Sequence, residues 1–109
     1  MNAFDFINML LLEIDDLNTT FSVRDKTNKF QQWFNTDYTK VDHTKKQIRL
    51  GATIIDDDPQ EKYLDTLAAL KKWFLANKIK KDYTVEFENT DSELFNKAEV
   101  KNGNTVVIS

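Results

Sequence analysis

The sequence predicts an α+β fold in which an antiparallel sheet is covered by one long helix and an N-terminal helix. Three observations lead to this fold class. A helical pattern fills residues 56–81, apolar and polar residues alternate at 47–55 and 83–88, and an Asn-Gly pair near the C-terminus separates two further strands. With 109 residues and 40% hydrophobic composition, the chain is expected to form a single domain, residues 1–109.

The long helix is the clearest predicted element. Asp58 precedes Pro59, and Glu61 follows at the third helical position, so a helix is expected to begin here with Asp58 as its cap. Acidic residues at the start and lysines at the end match the charge order that a helix dipole favours. The expected core face consists of six apolar residues, namely Tyr63, Leu64, Leu67, Leu70, Phe74 and Leu75.

The N-terminal segment predicts a helix over residues 3–17, capped by Asn2. Its apolar residues occupy more than one helical face, which leaves two interpretations open. The helix is either a buried or half-buried core helix, or part of it is an oligomer or partner surface, with Phe4, Met9 and Leu12 as the residues to examine first.

The segments between the two helices have weaker patterns. Phe21 and Val23 lie on one face of a predicted strand at 19–24, and the spacing of Phe30, Trp33 and Phe34 predicts a short helix at 27–35. The polar segment 35–46 is compatible with either a loop or a strand, and both alternatives stay open.

The strand at 47–55 is expected to lead directly into the long helix. After the helix, Tyr83, Val85 and Phe87 alternate with polar residues, and Asn102-Gly103 favours a type I′ turn between the last two strands. The simplest arrangement is an antiparallel meander of the last three strands, joined by the strand at 47–55.

The residues offer little catalytic chemistry. His43 is the one histidine, there is no cysteine, and two glycines are too few for a phosphate-binding loop. Residues 56–58 are three aspartates, but their spacing does not match a calcium loop, and helix capping explains them better. We therefore expect no enzyme activity, no cofactor and no metal site.

Composition also restricts partners and location. The absence of cysteine, of a secretion signal and of about 18 consecutive apolar residues predicts a cytoplasmic protein without a membrane partner. Five lysines beside Trp73 could contact a nucleic acid, but the net charge of −3 disfavours such binding. These lysines are Lys71, Lys72, Lys78, Lys80 and Lys81.

Short stretches of the C-terminal third carry a resemblance to a known family. KDYTV at 81–85, TDS at 90–92, NGN at 102–104 and VIS at 107–109 are similar to the sheet of small phage anti-CRISPR proteins, which block a type II CRISPR nuclease by mimicking DNA. The resemblance implies a phage inhibitor that binds a host protein. The inhibitory carboxylates of that family lie largely after the sheet, so it assigns no functional residue here.

The order of predicted elements also resembles that of the tail-terminator and tail-completion subunits of long-tailed phages. Two alternative functions are therefore expected. The first is a non-catalytic protein-binding module that inhibits a host protein, and the alternative is a self-assembling phage structural subunit, so a homo-oligomer stays open. A nucleic-acid binder ranks third.

An inhibitor of this kind could act as an acidic decoy for a basic protein. The carboxylates available for this role are those that helix ends do not explain, and we expect them to share one exposed surface. They are Glu86, Glu88, Asp91, Glu93 and Glu99.

Overall fold

The structure is a computed structural model that describes residues 1–27, 30–55 and 57–109. Within these residues the chain has an α+β fold, as predicted, built from two helices and eight strands. The helices are α1 (Ala3–Glu13) and α2 (Leu67–Ala76). The strands are β1 (Ser22–Asp25), β2 (Trp33–Phe34), β3 (Lys40–Asp42), β4 (Gln47–Thr53), β5 (Thr84–Glu88), β6 (Leu94–Phe95), β7 (Ala98–Lys101) and β8 (Thr105–Ile108).

The larger sheet is built on the parallel pair β4 and β5. The order is β2-β4-β5-β6, and β3 pairs with β4 as an additional antiparallel strand. Ile48 and Leu50 of β4 lie beside Val85 and Phe87 of β5, and all four side chains are buried. The predicted alternation is confirmed in β5 and in the first half of β4, whereas the residues from Leu50 to Thr53 are all buried and the strand ends before Ile54. A parallel pair needs a long connection, and here the connection contains α2.

The smaller sheet has the order β1-β8-β7. β8 lies in the middle, parallel to β1 and antiparallel to β7. The predicted hairpin of the last two strands is present, and Asn102 and Gly103 have φ values of 56° and 75°. Three residues separate the paired Lys101 and Thr105, so the two-residue type I′ turn is not confirmed.

The predicted antiparallel meander is wrong, because the sheets are mixed. β5 pairs with β4 and β6 in one sheet, whereas β7 and β8 belong to the other sheet. Alternating apolar residues indicate which face of a strand is buried, but they do not indicate the neighbouring strand or its direction.

Helix α1 contacts β5, β7 and α2, and therefore lies against both sheets. The Asn2 side chain accepts hydrogen bonds from the backbone N–H groups of Phe4 and Asp5, at 2.8 and 3.3 Å, which confirms the predicted cap. The helix ends at Glu13, before the predicted residue 17. Glu13 itself and the acids Asp15 and Asp16, which follow Ile14, place negative charge at the helix C-terminus, where it opposes the helix dipole.

Four buried phenylalanines join α1 to both sheets. The ring of Phe6 on α1 meets that of Phe87 on β5 at a centroid distance of 5.0 Å, and Phe34 on β2 stacks on Phe87 at 6.0 Å. Phe21, which precedes β1, meets Phe34 edge to face at 6.4 Å. Rings of this size contribute strongly to core stability, so the cluster lies at the centre of the domain.

The predicted long helix is much shorter, and its predicted start is wrong. Pro59 precedes a single 3-10 turn, Gln60–Lys62, and the helix begins at Leu67 with Thr66 as its cap. The backbone between them is extended, because the Leu64 N–H donates to the carbonyl of Phe34 at 2.9 Å. Of the predicted core face, Leu75 is 82% exposed and the other five residues are buried.

The Asp58 side chain does not cap a helix. Its carboxylate instead accepts a 2.9 Å hydrogen bond from the Asn35 amide. Asp56, the first residue of the predicted helical segment, lies outside the described residues. The nearby Tyr63 hydroxyl donates to the Ile55 carbonyl at 3.0 Å, so the segment is held by the tertiary structure around it.

The predicted helix at 27–35 is also wrong, since this segment contains β2. Gln32 and Phe34 are buried, and the exposed Phe30 lies outside the core. Backbone pairing of Val23 with Gln32, and of β2 with β4, outweighs the helical spacing of the aromatic residues. Residues 28 and 29 of this prediction lie outside the described residues. Segment 35–46, for which a loop and a strand were both expected alternatives, contains a 3-10 turn (Thr36–Tyr38) followed by the strand β3.

Gly51 on β4 provides a test of the packing. A Cβ atom at this position would lie 1.9 Å from the carbonyl oxygen of Tyr38, which is backbone and cannot move aside cheaply. We expect Gly51→Ala to lower the free energy of unfolding by at least about 3 kcal/mol, as measured by chemical denaturation.

Gly103→Ala is the matched control for this substitution. Its Cβ would meet no atom within 4 Å, and only the positive φ opposes it, at a cost of about 1 kcal/mol. Equal losses for the two variants would contradict the close approach of Tyr38 to β4.

Candidate functional site

The predicted acidic residues are distributed over both sheets. Glu86 and Glu88 project from the same, partly exposed face of β5, opposite the buried Val85 and Phe87. A cavity of about 430 Å³ is lined by Glu86 and Glu93 together. Glu88 lines a different cavity, of about 340 Å³. The structure therefore brings Glu86 and Glu93 together and directs Glu88 into a neighbouring depression.

Glu99 lies on β7, in the smaller sheet. Its carboxylate is 3.6 Å from the ammonium of Lys101, and both side chains are largely exposed. Glu86 also has a basic neighbour, because the guanidinium of Arg49 lies 3.3 Å from its carboxylate. Two of the five acids are thus partly neutralised by residues of this chain, which weakens the field they offer to a basic partner.

The acidic turn after β5 is organised by Asn89, which is only 3% exposed. Its side-chain oxygen accepts hydrogen bonds from the N–H groups of Asp91 and Glu93, at 3.1 and 2.8 Å. Its amide nitrogen donates to the carboxylates of Asp25 and Glu93, at 3.0 and 3.2 Å. Asn89 therefore sets the positions of two candidate acids and connects their turn to β1.

An apolar surface lies elsewhere, on the outer face of α1. Phe4, Leu11 and Leu12 are 53%, 45% and 84% exposed. Their spacing of seven and eight residues, with the half-buried Asn8 between them, places them on one side of the helix. The opposite side is the core face, consisting of Ala3, Phe6, Ile7 and Leu10.

This distribution bears on both interpretations of helix one. Phe6 belongs to the core, and Met9 packs partly against it, so Met9 is not at the centre of an exposed surface. Phe4 and Leu12 are exposed, and Leu11 joins them. We name Phe4, Leu11 and Leu12 the α1 face. Sequence reasoning detected the apolar excess but did not include Leu11 among the residues to examine first.

The lysine-rich segment surrounds the C-terminal half of α2. Trp73 is half-buried and packs against the core, at 5.7 Å from the ring of Phe74, so it offers little surface for stacking on a base. The five lysines of this segment are all exposed. Between them, Leu75 is exposed as well.

Two further groups of ionisable residues have structural contacts. His43 lies in an exposed turn, and its Nδ1 is 2.6 Å from the hydroxyl oxygen of Tyr83. A 2.8 Å hydrogen bond between Lys46 and Asp82 raises the pKa of the lysine and lowers the pKa of the aspartate. Both partners are exposed, so the pair contributes little to stability.

Within the described ranges, no group of three or more His, Cys, Asp or Glu side chains is arranged to hold a metal ion. Nor does any helix described here have the length and apolar character needed to cross a membrane.

The role of Asn89 can be tested by removing its side chain. We expect Asn89→Ala to lower the free energy of unfolding by about 3 kcal/mol, because the N–H groups of Asp91 and Glu93 lose their acceptor and the buried carboxylate of Asp25 loses a donor. Asn96→Ala, at an exposed position close by, is the control and should change stability by less than about 0.5 kcal/mol. Thermal and denaturant unfolding measure both effects, and a small loss at position 89 would contradict this role.

Comparison with known proteins supplies no family for this arrangement. No protein-family model, no curated protein and no solved structure matches the chain.

Proposed function

We propose that this chain is a non-catalytic protein-binding module whose contact surface is the α1 face. The observation that supports the proposal is the exposure of three large apolar side chains on one side of a helix whose other side is in the core. Contiguous apolar residues of this kind are typical of protein interaction sites, and helices often bind a groove with such residues.

The α1 face has the composition of a binding surface. Exposing Phe4 and Leu12 to water has no benefit for folding, whereas burying them against a partner removes apolar area from water. Helix α1 is also held firmly at its start. The Ala3 N–H donates to the Tyr83 carbonyl at 2.8 Å, and the Val85 N–H donates to the Met1 carbonyl at 2.7 Å. A helix fixed in this way presents its side chains with little further loss of conformational entropy on binding.

The proposed partner is a host protein that the module inhibits, in line with the anti-CRISPR resemblance of the C-terminal segment. Glu86, Glu88, Asp91, Glu93 and Glu99 remain the proposed acidic contacts for a basic partner, with a smaller role than the α1 face because ion pairs within the chain compete for Glu86 and Glu99. Such charges would chiefly accelerate association and would do so more at low salt.

A second candidate function, the self-assembling phage subunit, is favoured by a separate observation. Helix α2 exposes Leu75 among lysines, so this helix also has an exposed apolar position, with charges opposite to those near α1.

The α1 face can be tested with single substitutions. The immobilised protein would be exposed to a bacterial lysate, and the retained proteins would be quantified by mass spectrometry. We expect Leu12→Asp to reduce retention of the specific partner at least about tenfold, because a charge would replace a central apolar contact. Circular dichroism should show an unchanged fold, since Leu12 is outside the core.

Two controls separate the surfaces. Leu94→Asp introduces the same charge at another exposed leucine, on β6, and should retain the partner. The triple variant Glu86→Gln, Glu88→Gln and Glu99→Gln should weaken retention mainly at low salt. If Leu12→Asp binds as well as the unchanged protein, while the triple variant does not bind at any salt concentration, the acidic surface and not α1 is the contact site.

A further inference from the structure

Helix α2 has an exposed apolar position framed by positive charge. Leu75 is 82% exposed. Lys71 and Lys72 precede it by four and three residues, which places them beside it on the helix surface, and all three side chains are exposed. Lys78 follows just after the helix ends. We name Leu75, Lys71, Lys72 and Lys78 the α2 face.

The region around the α1 face has the opposite charge. Residues 1–23 contain four acidic side chains and no lysine or arginine. Two of the acids lie on α1 and two follow its end, and all four are exposed: Asp5, Glu13, Asp15 and Asp16. Residues 71–81, in contrast, contain five lysines and no acid. The two faces therefore match in apolar character and complement each other in charge.

We propose that the α1 face of one copy binds the α2 face of a second copy of this chain. The inference rests on the proposed protein-binding function of α1 and gives the same face a second partner besides the host protein. Leu12 and Leu75, both more than four-fifths exposed, would lie at the centre of the contact, and the acids near α1 would face the lysines of α2.

Charge selects this pairing over its alternatives. Two α1 faces brought together would place acids against acids, and two α2 faces would place lysines against lysines. Like charges at close range oppose association, so each face disfavours itself and favours the other. A contact between two different faces gives a closed assembly when the rotation between copies returns to the start, and an open filament otherwise.

The test uses two variants that each lack one face. Leu12→Asp removes the α1 face, and Leu75→Asp removes the α2 face. Sedimentation velocity at protein concentrations up to about 100 µM measures self-association. We expect the unchanged protein to associate at low salt, and each variant alone to associate at least about tenfold more weakly.

Mixing the two variants is the decisive step. Leu12→Asp keeps an intact α2 face and Leu75→Asp keeps an intact α1 face, so an equimolar mixture should recover association as a pair containing one copy of each. Increasing the salt concentration should weaken this pair, because screening reduces the attraction between acids and lysines. Leu94→Asp is the control for an added surface charge and should associate like the unchanged protein.

Two results would overturn the proposal. Association that is lost in Leu12→Asp but unchanged in Leu75→Asp would mean that α1 binds α1. A monomer under all conditions would exclude self-association altogether. Neither result would remove the proposed protein-binding function, because the lysate experiment tests retention of a different protein by the same α1 face. If no other protein were retained from the lysate while self-association persisted, the host-protein proposal would fail and the self-association proposal would stand.

Discussion

The parallel pairing of β4 with β5 is the interaction on which the rest of the structure depends. It aligns five consecutive residues of each strand and places Leu50 beside Phe87 on the buried side. The connection between the two strands supplies α2, and the edge of β5 holds the start of α1 through two backbone hydrogen bonds. The pair therefore fixes the start of α1, which then packs against β7 and α2.

The sequence predicts local features well and long-range features poorly. The Asn2 cap, the alternation of β5, and the hairpin of β7 and β8 depend on residues close together in the chain, and all three are present. The predicted start of the long helix at Asp58 and Pro59 is wrong, because the backbone pairing of Tyr63 with Asn35 outweighs this strong local start signal. No local pattern contains the information that residues 28 positions apart will form a bridge.

The same limit applies to the candidate sites. The alternation of β5 correctly indicated that Glu86 and Glu88 share a strand face. It could not indicate that Glu99 lies in a different sheet, since that depends on which strand β7 joins. The apolar excess of α1 was visible in the sequence. Assigning Leu11 and Leu12 to its outer side required knowing which side of the helix meets the two sheets.

The position of β8 has a consequence for how the protein is made. β8 is the middle strand of its sheet, yet it follows both of its partners in the chain, and its parallel partner β1 precedes it by about 80 residues. During synthesis, β1 and β7 would emerge from the ribosome without the strand that joins them. The smaller sheet therefore cannot form until β8 has emerged as well, and such a distant pairing closes slowly. In that interval the apolar side chains of β1 and β7 would be exposed to chaperones and proteases.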